Sequence, residues 1–315
     1  MTRSMQTLMS SLIDYAGLFP PAKLDMGKSV EAYAHALRGP HAGFLGRFIC
    51  PSKRLPELSA AAAPLMPGTF ATSGYREHAD ATDPWRIGVL IDDELPACLT
   101  RLDAFNARHE RADAGLARAD AIEMKVEAPG LIDDALEILP EDVFPFFEIP
   151  IERDCRGFVT AIAGNSETGG AACKIRTGGI TPDAFPTTRQ VAEFLHACIG
   201  AQVPFKATAG LHHPVRATHA LTYEPSSPKA VMHGFLNVFM AAALTRSARL
   251  DVATTTTLLD EPDPKAFKFT DDGATWRRHT IDIVSLARVR EAFALGFGSC
   301  SFEEPVQDLR GLGLV

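Results

Sequence analysis

Between Ala121 and Gly210 the chain alternates short apolar runs with longer amphipathic ones, and this rhythm restricts the fold more than any single motif. Ala121 to Ala128 reads as a strand and Leu131 to Leu139 as a helix. Val143 to Glu152 reads as a strand and Gly157 to Ala163 as a short helix. Ala171 to Thr177 and Pro204 to Gly210 are further strands, with a helix at Thr188 to Ile199 between them and another expected after Pro214. Strands separated by helical segments build βαβ units and a parallel sheet.

The same pattern extends upstream. An apolar run from Leu12 to Phe19 ends at Pro20-Pro21, and helical stretches follow from about Gly27 to Leu37 and from Leu55 to Ala63. Phe44 to Cys50, closed by Pro51, and Trp85 to Ile91 read as strands, and Gly68 to Thr72 as a weaker one. The helix Leu95 to about His109 has Asp93 or a neighbour as its cap. After Tyr223 the rhythm changes. Met232 to Leu244 is a strongly apolar helix. Thr254 to His279 is polar, with Thr254-Thr255-Thr256-Thr257 and Asp271-Asp272-Gly273 as turn or hairpin signals. Ile281 to Leu295 resumes as a helix, and Gly296 to Ser301 reads as a last short strand with its loop. A chain of 315 residues with no repeat or linker suits one α/β domain. The expected architecture is a single (β/α)8 TIM barrel over 1–315. The segment from about 222 to 290 is an insertion or an extended crossover before the last strand.

Apolar content of 46% and charged content of 22% fit a globular protein with a large core. A net charge of −8 argues against nucleic acid or an anionic membrane as partner, while leaving room for a local basic pocket. The six scattered cysteines form no CxxC pair and read as reduced thiols of a cytoplasmic protein. No 18-residue apolar run is present, and Met1 to Gln6 does not read as the start of a signal peptide, so none is expected. A small anionic or carbonyl substrate is the expected partner. A homo-oligomer is compatible with the sequence, and neither cofactor nor metal is expected.

Buried parallel strands are normally apolar throughout, yet several here carry charge at alternating positions. Side chains at i, i+2 and i+4 share one strand face. Glu123, Lys125 and Glu127 therefore fall together, as do Glu148 and Glu152, Lys174 and Arg176, and Lys206, Thr208, Gly210 and His212. The opposite face of a barrel strand packs on helices, so the charged face points inward. Opposite charges clustered there offset the penalty of burial and shift pKa values, as acid–base and nucleophilic chemistry requires. Barrel active sites lie at the carboxyl ends of the strands.

A lysine so placed can form an imine with a carbonyl compound once neighbouring cations or desolvation free its amine, or it can hold an anion. Arg176 and Lys206 are the cations expected to act on Lys174, with Glu123 or Glu127 relaying protons. Thr177, Gly178, Gly179, Gly210, Gly298 and Ser299 mark candidate anion loops. Lys–Glu pairing without chemistry is the structural alternative. A metal-dependent lyase, isomerase or hydrolase using Glu127, Glu148 and His212 is one functional rival. A barrel that binds a sugar phosphate or organic acid without turnover is the other. His212 and His213, being adjacent, point to opposite sides, and His212 is also a candidate general acid at the barrel mouth. His233 faces the same mouth or packs.

The order of these residues resembles that of class I deoxyribose-phosphate aldolases. Lys174-Ile175-Arg176-Thr177-Gly178 is similar to the segment around that family's imine-forming lysine, and Phe205-Lys206-Ala207-Thr208-Ala209-Gly210 to the next strand with its second lysine. Glu123 falls where the family has a catalytic aspartate. Leu12 to Leu18 is similar to its opening Asp-containing strand, Phe48-Ile49-Cys50-Pro51-Ser52 to its Cys-x-Pro strand end, and Gly298-Ser299-Cys300-Ser301 to its final phosphate loop. The resemblance implies an aldolase-type barrel with Lys174 as the Schiff-base lysine, Lys206 and Glu123 as its catalytic partners, and Gly178, Gly210, Gly298 and Ser299 near a substrate phosphate. Arg176 in place of a small residue, the added charges of Lys125, Glu127 and Glu148, and Leu211-His212-His213-Pro214 are departures from it.

Overall fold

Eight parallel strands close into a barrel in the computed structural model, which describes residues 1–68, 83–164 and 170–315. They are β1 (Ile13–Tyr15), β2 (Leu45–Pro51), β3 (Trp85–Leu90), β4 (Ala117–Lys125), β5 (Phe144–Glu148), β6 (Ala172–Arg176), β7 (Phe205–Thr208) and β13 (Ala294–Ser299). Each pairs in parallel with its neighbour in chain order, and β13 closes the ring between β7 and β1. With helices packed outside, the protein is a (β/α)8 TIM barrel. β1, β3, β5, β6 and β7 are shorter than the apolar runs that announce them, whereas β4 begins earlier, at Ala117, and ends at Lys125. β5 stops at Glu148, which leaves Glu152 exposed in the turn beyond it.

The outward faces form the apolar layer. Phe205 is fully buried there, with its ring centroid 5.7 Å from Phe194, 5.9 Å from Phe239 and 5.3 Å from Phe293. The helix Phe235–Ala248 has every residue from Phe235 to Thr245 buried. It packs on the barrel strand β13 and is also covered by the helices Val252–Leu259 and Ile283–Ala292. A helix enclosed on all sides has no use for a polar stripe, which explains its uniformly apolar sequence.

The last crossover carries the departures from expectation. No helix follows Pro214 directly. Ala217–Ala220 (β8) instead pairs antiparallel with Lys229–Met232 (β9), and the helix begins only at Phe235. The four threonines at 254–257 lie in the helix Val252–Leu259 rather than in a turn. Asp251 caps that helix by accepting from the Thr254 amide at 2.7 Å. The hydroxyls of Thr255, Thr256 and Thr257 donate to the carbonyls four residues back at 2.8, 2.8 and 2.9 Å, so the residues that suggest a break are satisfied within the helix. Asp271-Asp272-Gly273 does make a turn, between Phe267–Phe269 (β10) and Gly273–Trp276 (β11), with His279–Asp282 (β12) completing a three-stranded meander. Asp93 does not cap the helix Leu95–His109. Glu94 holds that position without a side-chain bond, while Asp93 pairs with Arg101 at 2.8 Å. The weak strand expected at Gly68 to Thr72 lies, from Thr69 onward, outside the described residues. Among the described residues no helix is long and apolar enough to cross a membrane. All six cysteines are free and buried.

Phe205→Ala should lower stability by about 3–5 kcal/mol, the usual cost of emptying a fully packed aromatic site. Urea denaturation of the variant against the parent measures it, and a loss under about 1 kcal/mol would mean that the aromatic layer does not pack as described.

Candidate active site

Register sets the site. Lys125 on β4, Glu148 on β5, Lys174 on β6 and Lys206 on β7 are successive Cα partners, so one row of the sheet is charged across four strands. Glu123 lies one row below, opposite Phe146. The alternation that points Cys173, Ile175 and Ala207 into the apolar layer sends Lys174 and Lys206 inward. Lys174, Glu123 and Lys206 are 3%, 3% and 1% exposed.

These side chains form a chain of alternating charge. The Lys174 ammonium donates to Glu148 Oε2 at 2.7 Å and to Glu123 Oε2 at 2.7 Å. The other Glu123 oxygen accepts from Lys206, which also donates to Asp14. Asp14 Oδ1 accepts in turn from the backbone amide of Arg47 at 2.5 Å. Arg176 closes the upper end, 3.9 Å from Glu148. Burial opposes ionisation of Glu123, but the two ammonium groups outweigh it and hold its pKa down to about 2. Burial likewise opposes the charge on Lys174, yet Glu123 and Glu148 prevail and hold its pKa above the ordinary lysine value. This corrects the expectation that Arg176 and Lys206 lower it. Each lysine's nearest ionised neighbours are carboxylates, with Glu123 standing between the two ammonium groups. Asp14 is the member that pattern reading missed as a site residue. Its signal was a lone acid inside the apolar run Leu12-Ile13-Asp14-Tyr15.

Two cavities meet this network. One of about 890 Å³ opens at the amino-terminal end of the strands and reaches Asp14 and Lys206 from below. The other, of about 490 Å³, lies at the carboxyl ends of the strands. We take the smaller as the candidate site. Lys174, Glu123, Glu148 and Arg176 face it, and barrel chemistry takes place at that end. Lys125, Gly179, Gly210, His212 and Gly298 also line it.

Lys206, Glu127, Thr177, Gly178 and Ser299, also expected in the site, stand outside its wall. Glu127 is exposed at the rim and pairs with Lys125 at 2.8 Å. The Thr177 hydroxyl donates to the Ala209 carbonyl at 2.6 Å and ties the ends of β6 and β7 together. Gly178 and Gly210 face each other so closely that a Cβ on Gly178 would lie 2.9 Å from the Gly210 Cα. Gly210 also has a φ of +73°. Both glycines therefore have a packing reason to be there. The Ser299 hydroxyl is spent on the Ser301 carbonyl at 2.6 Å.

His212 and His213 turn to different partners. His212 is buried 3.2 Å from Glu304 and 4.0 Å from the Cys300 thiol. Burial disfavours its charge, but those two neighbours push its pKa up to about 10. His213 meets Asp308 at 2.6 Å. His233 packs, with Nε2 2.7 Å from the Pro186 carbonyl, and burial takes its pKa down to about 4. Among the described residues no group of three or more His, Cys, Asp or Glu side chains is arranged to hold a metal ion. Glu127, Glu148 and His212 each have a different ion-pair partner.

No protein-family model matches the chain, and no curated protein matches it significantly.

Glu123→Gln removes the carboxylate between two buried ammonium groups and should cost about 3–5 kcal/mol at neutral pH. Its depressed pKa also fixes a direction. The stabilisation is complete above about pH 4.5 and is lost as pH falls towards about 2. Urea midpoints across that range should fall less steeply with acidification in the variant than in the parent.

Proposed function

We propose that the protein is an aldolase-type carbon–carbon lyase acting on a small carbonyl compound through an imine on Lys174. The observation that carries this is a buried lysine facing a cavity of about 490 Å³ at the carboxyl end of the barrel, with a carboxylate 2.7 Å away on either side. At rest Lys174 is an ammonium ion, so it must lose a proton before it can attack. Glu123 and Glu148 both border the cavity, and Glu148 is the acceptor because it meets one ammonium group where Glu123 meets two. The free amine adds to the substrate carbonyl and water leaves. The resulting iminium draws electrons from the neighbouring C–C bond as that bond breaks. Glu123, bonded to Lys174 on one side and to Lys206 on the other, relays protons from Lys206 to the carbinolamine hydroxyl that departs as water and to the enamine carbon. The low-dielectric interior strengthens each of these contacts.

Sodium borohydride added with a panel of short aldehydes and 2-oxo acids should fix a reduced adduct on Lys174, located by peptide mass spectrometry. Lys174→Met should give no adduct. Glu123→Gln should slow adduct formation by about 10²–10⁴-fold, the usual contribution of a positioned acid–base group. Because the amine must first be freed, labelling of the parent should accelerate as pH rises. Absence of any adduct across the panel, or an adduct that persists in Lys174→Met, would rule the imine out.

A further inference from the structure

The cavity wall restricts which carbonyl compound fits. Arg176 lies two residues beyond Lys174 on β6, on the same strand face, and both border the cavity. The other cations there are matched. Lys174 has its two carboxylates at 2.7 Å, Lys125 has Glu127 at 2.8 Å, and His212 has Glu304 at 3.2 Å. Arg176 approaches Glu148 only to 3.9 Å, beyond hydrogen-bond distance, and its side chain is 54% exposed. A guanidinium with open donors beside a carbonyl-reactive amine suits a carboxylate, which it can bind through two parallel bonds.

The rest of the wall is apolar, with Ile49, Leu90, Ile91, Ile180, Leu221 and Met232 contributing. Among the described lining residues, Thr208 has the only hydroxyl and none has an amide side chain. A polyol would leave unpaired each hydroxyl that turned to these aliphatic groups, at a cost for each. A phosphate fares no better. Gly178 and Gly210 are closed on each other, the Ser299 hydroxyl is occupied, and Glu303 and Glu304 put negative charge in the first turn of the helix Glu303–Gly311.

We propose that the substrate is a 4-hydroxy-2-oxo acid with an apolar group on C4, its carboxylate held by Arg176 and its C2 carbonyl presented to Lys174. This rests on the imine reading above and narrows it. The amine adds to C2 and water departs. A base removes the proton of the 4-hydroxyl, the C3–C4 bond breaks, and its electron pair moves into the iminium to give an enamine. The apolar aldehyde leaves, C3 takes a proton, and one water releases the shorter 2-oxo acid and restores Lys174. The sum is one hydroxy-oxo acid giving one 2-oxo acid and one aldehyde, with no oxidant or reductant.

Glu148 couples binding to chemistry in this scheme. It lies between Lys174 and Arg176. A carboxylate docking on Arg176 draws that cation away from Glu148 and brings a like charge beside it. Both changes favour passage of the Lys174 proton onto Glu148, so the substrate's own anion helps release the amine that attacks it.

The test compares borohydride labelling of Lys174 by pyruvate with labelling by propanal, in the intact protein and in Arg176→Gln. Thermal unfolding confirms that the variant is folded. The ratio of pyruvate to propanal labelling should fall by about tenfold or more in the variant, roughly the worth of one charge-assisted pair. An unchanged ratio overturns the carboxylate assignment while leaving the imine intact, whereas no labelling of the parent by either probe removes the imine and this proposal with it. In the synthetic direction, pyruvate with hexanal should give more aldol product than pyruvate with glyceraldehyde. An equal or greater yield from glyceraldehyde overturns the apolar half of the assignment.

Discussion

The barrel depends on one chain of alternating charges, running from Asp14 through Lys206, Glu123, Lys174 and Glu148 to Arg176. It joins β1, β7, β4, β6 and β5, strands that are not all neighbours around the ring. An isolated charge in such an interior costs several kcal/mol, and a pair returns that only when geometry and hydrogen bonds are good. Here each buried ammonium touches two carboxylates. The arrangement also fixes register. A one-residue slip of β6 or β7 would turn Lys174 or Lys206 into the phenylalanine layer and pull Cys173 or Phe205 into the ionised interior.

Much of this frame was legible in the sequence because two periodicities coincide. The strands β4 to β7 were readable as short apolar runs, and their charged alternate positions indicated which face turns inward. That placed Lys174, Lys206 and Glu123 in one interior without any homologue. What the sequence did not carry was pairing. Nothing local says that Glu123 lies between the lysines, or that Asp14, more than a hundred residues away, completes the coordination of Lys206. The direction of the Lys174 shift follows from that pairing with Glu123 and Glu148, which the strand pattern does not contain. Lys125 and Glu127 share the parity of Glu123 but lie at or past the end of β4, where the strand has left the interior. The threonines at 254–257 were misleading because their hydroxyls can bond backward within a helix as readily as they can favour a turn.

The glycines show how one residue type serves two ends. In the sequence Gly178 and Gly210 resemble members of an anion loop. In the barrel they let the loops after β6 and β7 approach to a separation that no side chain would permit, and the Thr177 hydroxyl fastens the contact. The effect on the site is indirect. The loops are drawn together above the lysines, and the space left beside them has aliphatic side chains opposite its charged ones.

The two cavities have a further geometric consequence. Asp14 and Lys206 border the lower one and Glu123, Lys174 and Glu148 the upper, so a septum of ionised side chains divides the barrel into two chambers. The lysine side chain of Lys206 is the hinge-pin of that septum, bonded to Asp14 on one side and to Glu123 on the other. The ionised interior is thus bordered by open space at both ends of the barrel, and the end opposite the candidate site is more than scaffold.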